Sequence, residues 1–228
     1  IPGLNTFQGR WHHTGQWPHE GVDFSGKRVG QIGTGSTGIQ AAPVIAETAA
    51  HLTVFQRTAN YSVPARNGPL SAEFQQYVKN NTAEIRRIMH STPNGHPFTI
   101  SDRLALETSP AERLAIYEAA WEKGGLQFRG TFRDLLMDKA ANDTAATFLC
   151  DKIRAIVKDP KTAAMLADID HPYAAKRPPI DTHYFETFNR ENVTLVDVKA
   201  TPIEAVTPAG IRTKNAEYPL DIIVFATG

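Results

Sequence analysis

A single cysteine, Cys150, occurs in 228 residues. That excludes an internal disulfide framework and fits a reducing compartment, so the composition predicts a cytoplasmic protein. An excess of one charge is missing too: 24 Lys and Arg balance 24 Asp and Glu. Binding to nucleic acid or to an acidic membrane surface normally shows as a basic excess, so neither partner is expected. No run of about 18 apolar residues is present to span a bilayer, and no signal peptide is recognisable. Eight histidines occur, but none falls in HExxH or another metal-ligand spacing, and no metal site is expected. The GxSxG nucleophile elbow is missing, as are internal repeats and low-complexity tracts. The first residue is Ile1 rather than Met, and the last four, Phe225-Ala-Thr-Gly228, follow an apolar run directly. Both ends lead us to expect a piece of a longer protein.

What is present suffices for a core. Hydrophobic residues make up 41% of the chain, enough for one sizeable core or a core with a smaller lobe. Residues 1–24 are rich in Gly, Pro, His and Trp and read as an irregular lead-in. A short strand is expected over 27–32, a helix over 36–50 and a second strand over 52–55. Strand, glycine turn, helix and strand form a βαβ unit, which predicts a parallel sheet. Gly30 and Gln31 weaken the first strand, and the residue types give Gln31 no role there. Residues 60–71 read as a loop, and 72–170 as mostly helical. Ser109-Pro110-Ala111-Glu112 is a capping box with proline at the first helical position, and Asp159-Pro160 opens a helix in a similar way. Leu114, Tyr117 and Trp121 fall at helical spacing and read as an apolar face. Cys150 is expected on an amphipathic helix, buried and inert. Three prolines make 171–180 a loop, and 182–188 reads as a short helix. "VTLVDV", "PIEAVT" and "GIRT" read as short strands, and the apolar run 222–226 suits a parallel strand buried on both faces.

The first strand runs into Gly33-Thr34-Gly35-Ser36-Thr37-Gly38, a GxGxxG spacing. Gly33 allows a tight turn, Gly35 lets the backbone approach a pyrophosphate, and Gly38 lets the helix pack on the strand. The helix then offers free N–H groups and a partial positive charge to the anion. A glycine-rich turn with no ligand is the alternative. A site that prefers NAD places Asp or Glu near the end of the second strand, for the ribose 2′-hydroxyl. Here the sequence is Phe55-Gln56-Arg57-Thr58, with no carboxylate. Arg57 offers a fixed charge and forked donors for a 2′-phosphate, and Thr58 adds a hydroxyl, which favours NADP; a solvated surface arginine is the alternative. Lys176-Arg177-Pro178-Pro179 puts two cations on a stiffened loop. Residue types alone favour an ordinary exposed basic pair. A functional reading needs a 2′-phosphate for one cation and a developing anion for the other, a role that suits a permanently protonated arginine.

The lead-in holds a more specific pattern. Phe7, Gly9, His13, Trp17 and Pro18 fit every fixed position of FxGxxxHxxxWP, which resembles the fingerprint of Baeyer–Villiger monooxygenases. "HLTVFQRTANYSVPARN", "KRPPIDTHYFETFNRENV" and the closing "FATG" are also similar to segments of this family, in its cyclohexanone, cyclopentanone and phenylacetone type. The resemblance covers nearly the whole chain. It implies a flavoprotein with FAD and NADP(H) that uses NADPH and O2 to convert ketones to esters or lactones. Carried over by position, Thr34, Gly35, Ser36, Thr37, Gly38, Ile39 and Gln40 would hold the pyrophosphate and adjoining ribose. Arg57, Thr58 and Lys176 would hold the 2′-phosphate. Arg177 would touch the cofactor as the active-site arginine, stabilising the peroxide anion and the oxyanion of the adduct. His13 would lie in a linker that couples cofactor binding to domain movement; local packing of His13 and Trp17 is the alternative.

The family also has an earlier GxGxxG for FAD and a long carboxyl part, and neither is in this sequence. The resemblance therefore implies the NADP-binding portion: a linker at 1–24, a Rossmann-like α/β domain at 25–71 and 171–228 with a parallel sheet and a small antiparallel meander, and a helical insertion at 72–170. The uncovered FAD side should leave an apolar surface. Two other readings stand beside it. One is the NADP domain of an N- or S-oxygenating flavin monooxygenase; the other is a non-catalytic module that senses NADP.

Overall fold

Four of the five residues of β2 (Arg28–Ile32) are buried, as expected of a strand with neighbours on both edges and layers on both faces. The computed structural model describes residues 1–92 and 95–227 and places β2 at the centre of a five-stranded sheet. Gly228 of the closing motif lies outside the described residues. The other strands are β1 (Arg10–His13), β3 (His51–Gln56), β6 (Val193–Asp197) and β10 (Ile222–Phe225). Their order is β1-β10-β2-β3-β6, and every pairing is parallel. Helix α1 (Ser36–Thr48) joins β2 to β3. Two-residue strands at Val63–Pro64 (β4) and Ile180–Asp181 (β5) lie between β3 and β6 in the chain.

The chain divides into two compact units. The first holds Ile1–Ser62, Leu149–His171 and Arg177–Gly228; the second holds Val63–Phe148 and Pro172–Lys176. In the first, successive residues of β10 enter different cores, because strand side chains alternate between faces. Ile222 and Val224 join Val29, Ile39, Ile45, Leu52 and Val54 beneath α1. Ile223 joins Phe55, Val206, Ile211 and Leu220 on the other face. That second face is covered by an antiparallel meander, β7 (Ile203–Thr207), β8 (Gly210–Thr213) and β9 (Glu217–Pro219). At the opposite end of the strands from the glycine turn, Arg28 fastens the start of β2 to the start of β10. Its Nη2 lies 2.7 Å and its backbone N 2.8 Å from the Asp221 carboxylate. These bonds hold the Asp221 carboxyl down at about 2.

In the second unit α2 (Ala72–Asn80) and α3 (Thr82–Ser91) bury no residue. Its core is aromatic and gathers around α4 (Pro110–Lys123): the Tyr117 ring lies 5.3 Å from Phe128 and 5.4 Å from Phe132. Ser109 caps α4 by accepting from the Glu112 N–H at 3.3 Å, with Pro110 at the helix start. Buried Asn142 donates to the carbonyls of Leu135 and Tyr173 and accepts from the Tyr173 N–H. The long helix α5 (Lys139–Ile156) begins in this unit, and α6 (Pro160–Ala167) belongs to the first, with Asp159 as its cap.

Several expectations change. The lead-in is not irregular throughout: Arg10–His13 is the edge strand β1. Its strand character comes from backbone pairing with β10, while its side chains are exposed or half-buried and leave no alternating apolar pattern to read. Residues 149–171 fall with the sheet rather than with the helical insertion, because Ile153, Val157 and Leu166 are packed in the α1-side core. The strand expected at "VTLVDV" is present as β6 and joins the parallel sheet beside β3. Leu114 is 52% exposed, so the apolar face of α4 rests on Tyr117 and Trp121. Cys150 is half-buried; its thiol lies 3.6 Å from the Ala167 carbonyl oxygen, and burial pushes its pKa up.

Candidate functional site

The glycine turn starts at the C-terminal end of β2. Gly33 has φ 110°, a conformation that favours glycine. A Cβ there would stand 2.6 Å from the carbonyl oxygen of Ala226, just past β10. Gly38 is buried in the first turn of α1, and a Cβ there would stand 2.3 Å from the Gly33 carbonyl oxygen. Both are glycine because backbone passes close by. Gly35 is different. It is exposed, and nothing lies within 4 Å of the place its Cβ would take. It caps α1 with no side chain, and the following Ser36 and Thr37 are exposed. The first N–H groups of a helix have no partner within the helix. Here Gly35, Ser36 and Thr37 are all exposed, so the start of α1 is accessible to an anion. The turn also lies where the chain passes from β2 to β3 on one side while β10 lies on the other. Open parallel sheets bind ligands at such a switch point.

The end of β3 is tied to this turn. The Gly33 N–H donates to the Phe55 carbonyl at 3.2 Å, and the Thr34 hydroxyl donates to the Thr58 carbonyl at 2.8 Å. Thr34 is buried, so it acts as a strut. Ile39 packs in the core with its side chain turned away from any ligand at the turn, and Gln40 is exposed, its Nε2 3.5 Å from the Ile180 carbonyl oxygen. Arg57 is exposed and Thr58 half-buried. Among the described residues Arg57 has no side-chain hydrogen bond or ion pair, so its guanidinium is free for a ligand.

The lysine–arginine loop is built otherwise. Lys176 closes the last segment of the second unit, and Arg177 opens the last segment of the first. Both are exposed, whereas Pro178 and Pro179 are buried. Just beyond them Asp181, 6% exposed, accepts from the Ser62 hydroxyl and from the Tyr184 N–H. Burial pushes the Asp181 carboxyl up against the opposing effect of these bonds. The Tyr184 phenol is buried with no partner, and burial raises its pKa as well.

The fingerprint residues have local packing roles. Phe7 lies against the meander-side core. A Cβ on Gly9 would stand 2.3 Å from the Asp221 carbonyl oxygen and 2.5 Å from the Phe7 ring. Glycine there lets Arg10 start β1, with its N–H 3.0 Å from that carbonyl oxygen. His13 Nδ1 accepts from the Gly15 N–H at 3.1 Å. The Trp17 ring lies 5.7 Å from His12 and 6.2 Å from Phe24, and the Pro18 carbonyl accepts from the Gly21 N–H. Across the sheet, His13, Phe225, Ile32 and Phe55 stand in register. The histidine of the fingerprint is thus level with the last residue before the glycine turn.

No family model matches the chain. A Baeyer–Villiger monooxygenase of Pseudooceanicola batsensis is 48% identical over 232 residues, which cover all of this chain and 42% of that protein. A solved steroid monooxygenase with NADP bound is 52% identical, with a TM-score of 0.96 over 99% of this chain and 43% of its own. The chain belongs to the Baeyer–Villiger monooxygenase family. It spans less than half the length of the curated relatives it matches. OTEMO, solved in complex with FAD and NADP, matches all of this chain and 44% of its own, at 44% identity and a TM-score of 0.96. A phenazine N-monooxygenase of Lysobacter antibioticus is also 43% identical over the whole chain, which covers 42% of that protein.

Three polar residues of this Baeyer–Villiger monooxygenase portion were not singled out from the sequence. Ser62 and Asp181 are 119 positions apart, and only the fold brings them together. Gln31 is fully buried and hydrogen-bonded to the glycine turn. A polar residue in the middle of a core strand was the only signal for it.

Proposed function

We propose that this chain is the NADP-binding portion of a flavin-dependent Baeyer–Villiger monooxygenase, located in the cytoplasm, that converts ketones to esters or lactones with NADPH and O2. The observation that carries the reading is the open space before Gly35, between a strained Gly33 and a tightly packed Gly38, beside an end of β3 that bears Arg57 and no carboxylate. A methyl group placed there would meet nothing, so a pyrophosphate could approach the backbone at Gly35. The N–H groups at the start of α1, with Ser36 and Thr37, would hold the pyrophosphate; Arg57, Thr58 and Lys176 would hold the 2′-phosphate. When bound, NADPH supplies a hydride and FAD the oxygen chemistry; FAD would be held mainly by parts of the enzyme outside this chain. Arg177 would place a positive charge beside oxyanions formed from the ketone. His13, at the end of β1, would couple the linker to the nucleotide turn.

Calorimetric titration of the chain with NADP and with NAD, at fixed salt, tests the reading. Tight NADP binding with much weaker NAD binding is expected. Equal affinity for both would remove Arg57, Thr58 and Lys176 from the phosphate, and binding of neither would remove the reading for this chain. A second reading, N-oxygenation by the intact enzyme, is favoured by the likeness to the phenazine N-monooxygenase. Product analysis of the full-length enzyme with a ketone panel and with aromatic N-heterocycles separates the two: esters are expected, and N-oxides without esters would select the second.

A further inference from the structure

Strand β2 carries a residue that its position does not call for. Gln31 is 0% exposed in the middle of a parallel sheet, between Gly30 and Ile32. Its side chain shares a face with Val29, two residues earlier, so it lies on the side of the sheet that α1 covers. The carboxamide Nε2 donates to two carbonyls, those of Gly33 and Gly38, both at 3.1 Å. One residue starts the glycine turn and the other ends it. The amide therefore spans the turn from below and fixes its two ends to each other. Glycine at position 38 leaves room for it: a Cβ there would come within 3.0 Å of Nε2.

The same carboxamide is poor for stability. Its Oε1 is buried and has no partner, and a buried polar atom without a hydrogen bond is a cost that an apolar side chain would avoid. A β-branched or unbranched apolar residue would suit this strand better. The gain from Gln31 thus lies in the turn. Between its two braced carbonyls sit Thr34, Gly35, Ser36 and Thr37, the stretch with the open space and the free N–H groups. Gly35 has no side chain to limit its own backbone, so restraint has to come from outside the stretch.

We propose that Gln31 is a positioning residue for the dinucleotide pyrophosphate: by bracing both ends of the glycine turn from inside the sheet, it holds the helix N–H groups ready for the anion and raises affinity for NADP and NAD alike. The inference rests on the proposed nucleotide-binding function. It adds a residue with no contact to the ligand, and it separates two parts of recognition. Arg57 would read the 2′-phosphate, which only NADP has; Gln31 would act on the pyrophosphate, which both nucleotides have.

The test is Gln31→Met, which conserves volume and removes both donors. Dissociation constants for NADP and NAD are measured by calorimetry, and stability by denaturant titration, on the wild-type and variant chains. Both dissociation constants should rise by about tenfold, equivalent to about 1.4 kcal/mol. Stability should change little, because the two lost bonds offset the removal of the unpartnered Oε1, whereas a merely structural role would lower stability in step with affinity. Gln31→Val, well suited to a buried parallel strand, gives the same readout should the Met variant fail to fold. Unchanged affinities, a loss confined to NADP, or a loss of stability in step with affinity would each overturn the inference. A wild-type chain that binds neither nucleotide would overturn the proposed function first and the inference with it, an outcome distinct from a wild type that binds and a variant that binds equally well.

Discussion

The glycine turn and the lysine–arginine loop would both serve one nucleotide, yet they are held in opposite ways. The turn is restrained from within. Gly33 and Gly38 fit against backbone, Thr34 bonds to the end of β3, and Gln31 braces the turn from the sheet. The loop is restrained at its ends, upstream by buried Tyr173 bonded to Asn142 and downstream by two buried prolines and the buried Asp181, while Lys176 and Arg177 stand exposed between these anchors. Uncharged N–H groups at the turn gain most from fixed geometry, because a hydrogen bond weakens steeply with misalignment. Point charges on long side chains act over a wider range of positions and need less. Preorganised backbone in one region and exposed cations on long side chains in the other is a division that substitutions can separate.

Arg177→Ala should have the largest effect. In the full-length enzyme it should lower ester formation by about 10²–10³-fold, as removal of an oxyanion partner does, and leave flavin reduction by NADPH intact. Stopped-flow reduction and product analysis check this, and a normal ester yield would return Arg177 to the exposed surface. Gly35→Ala comes next and sharpens the contrast within the turn. A methyl group there meets nothing, so the melting temperature should not change, while affinity for NADP and NAD falls by about tenfold or more as the pyrophosphate loses its space. Gly38→Ala should lower stability itself by about 1–3 kcal/mol, the usual cost of overpacking. If the two alanine variants behaved alike in thermal melts, the distinction between a packed and an open glycine would fail.

Arg57→Ala should weaken NADP by about 10–100-fold, from the loss of charge-assisted hydrogen bonds worth about 1.5–3 kcal/mol, with NAD unchanged. The smallest effect concerns the anchor of the loop. The Asp181 carboxyl is raised in the folded state, from 3.8, by burial. Both states are protonated below that ordinary value, so the stability that the proton provides is fully present there. It is lost as pH rises through the folded-state value. Denaturant titrations from pH 4 to pH 8 should therefore show Asp181→Asn gaining on the wild type as pH rises; parallel curves would mean that the carboxyl has its ordinary pKa.

The two regions also differed in how well the sequence could be read. The βαβ unit was legible because glycine at 33, 35 and 38 follows one strand and opens a helix that leads to another, and because β2, β3 and β10 are buried runs. The capping boxes at Ser109 and Asp159 were legible because a cap is local. Other features depend on partners remote in sequence. β1 has no apolar alternation and is a strand only because β10 pairs with it. Gln31 looked like a flaw in a strand, since its partners are backbone carbonyls that no pattern of residue types reveals. Leu114 has the spacing of a core residue and is exposed, because spacing names a helix face without saying what covers it. The Ser62–Asp181 pair needed the fold itself.

The edge strand has a mechanical consequence for the fingerprint. Arg10–His13 is hydrogen-bonded along β10 in a fixed register, one strand away from β2. A strand cannot slide by one residue without turning every side chain to the opposite face. His13 is therefore indexed to the row that ends in the glycine turn, and small displacements of one against the other are blocked. Any swing of the linker in the working enzyme would pivot outside Arg10–His13, or else peel that strand away as a whole. The fingerprint histidine is indexed to the parallel sheet, and a hinge, if the linker moves as the family resemblance implies, would lie beyond it.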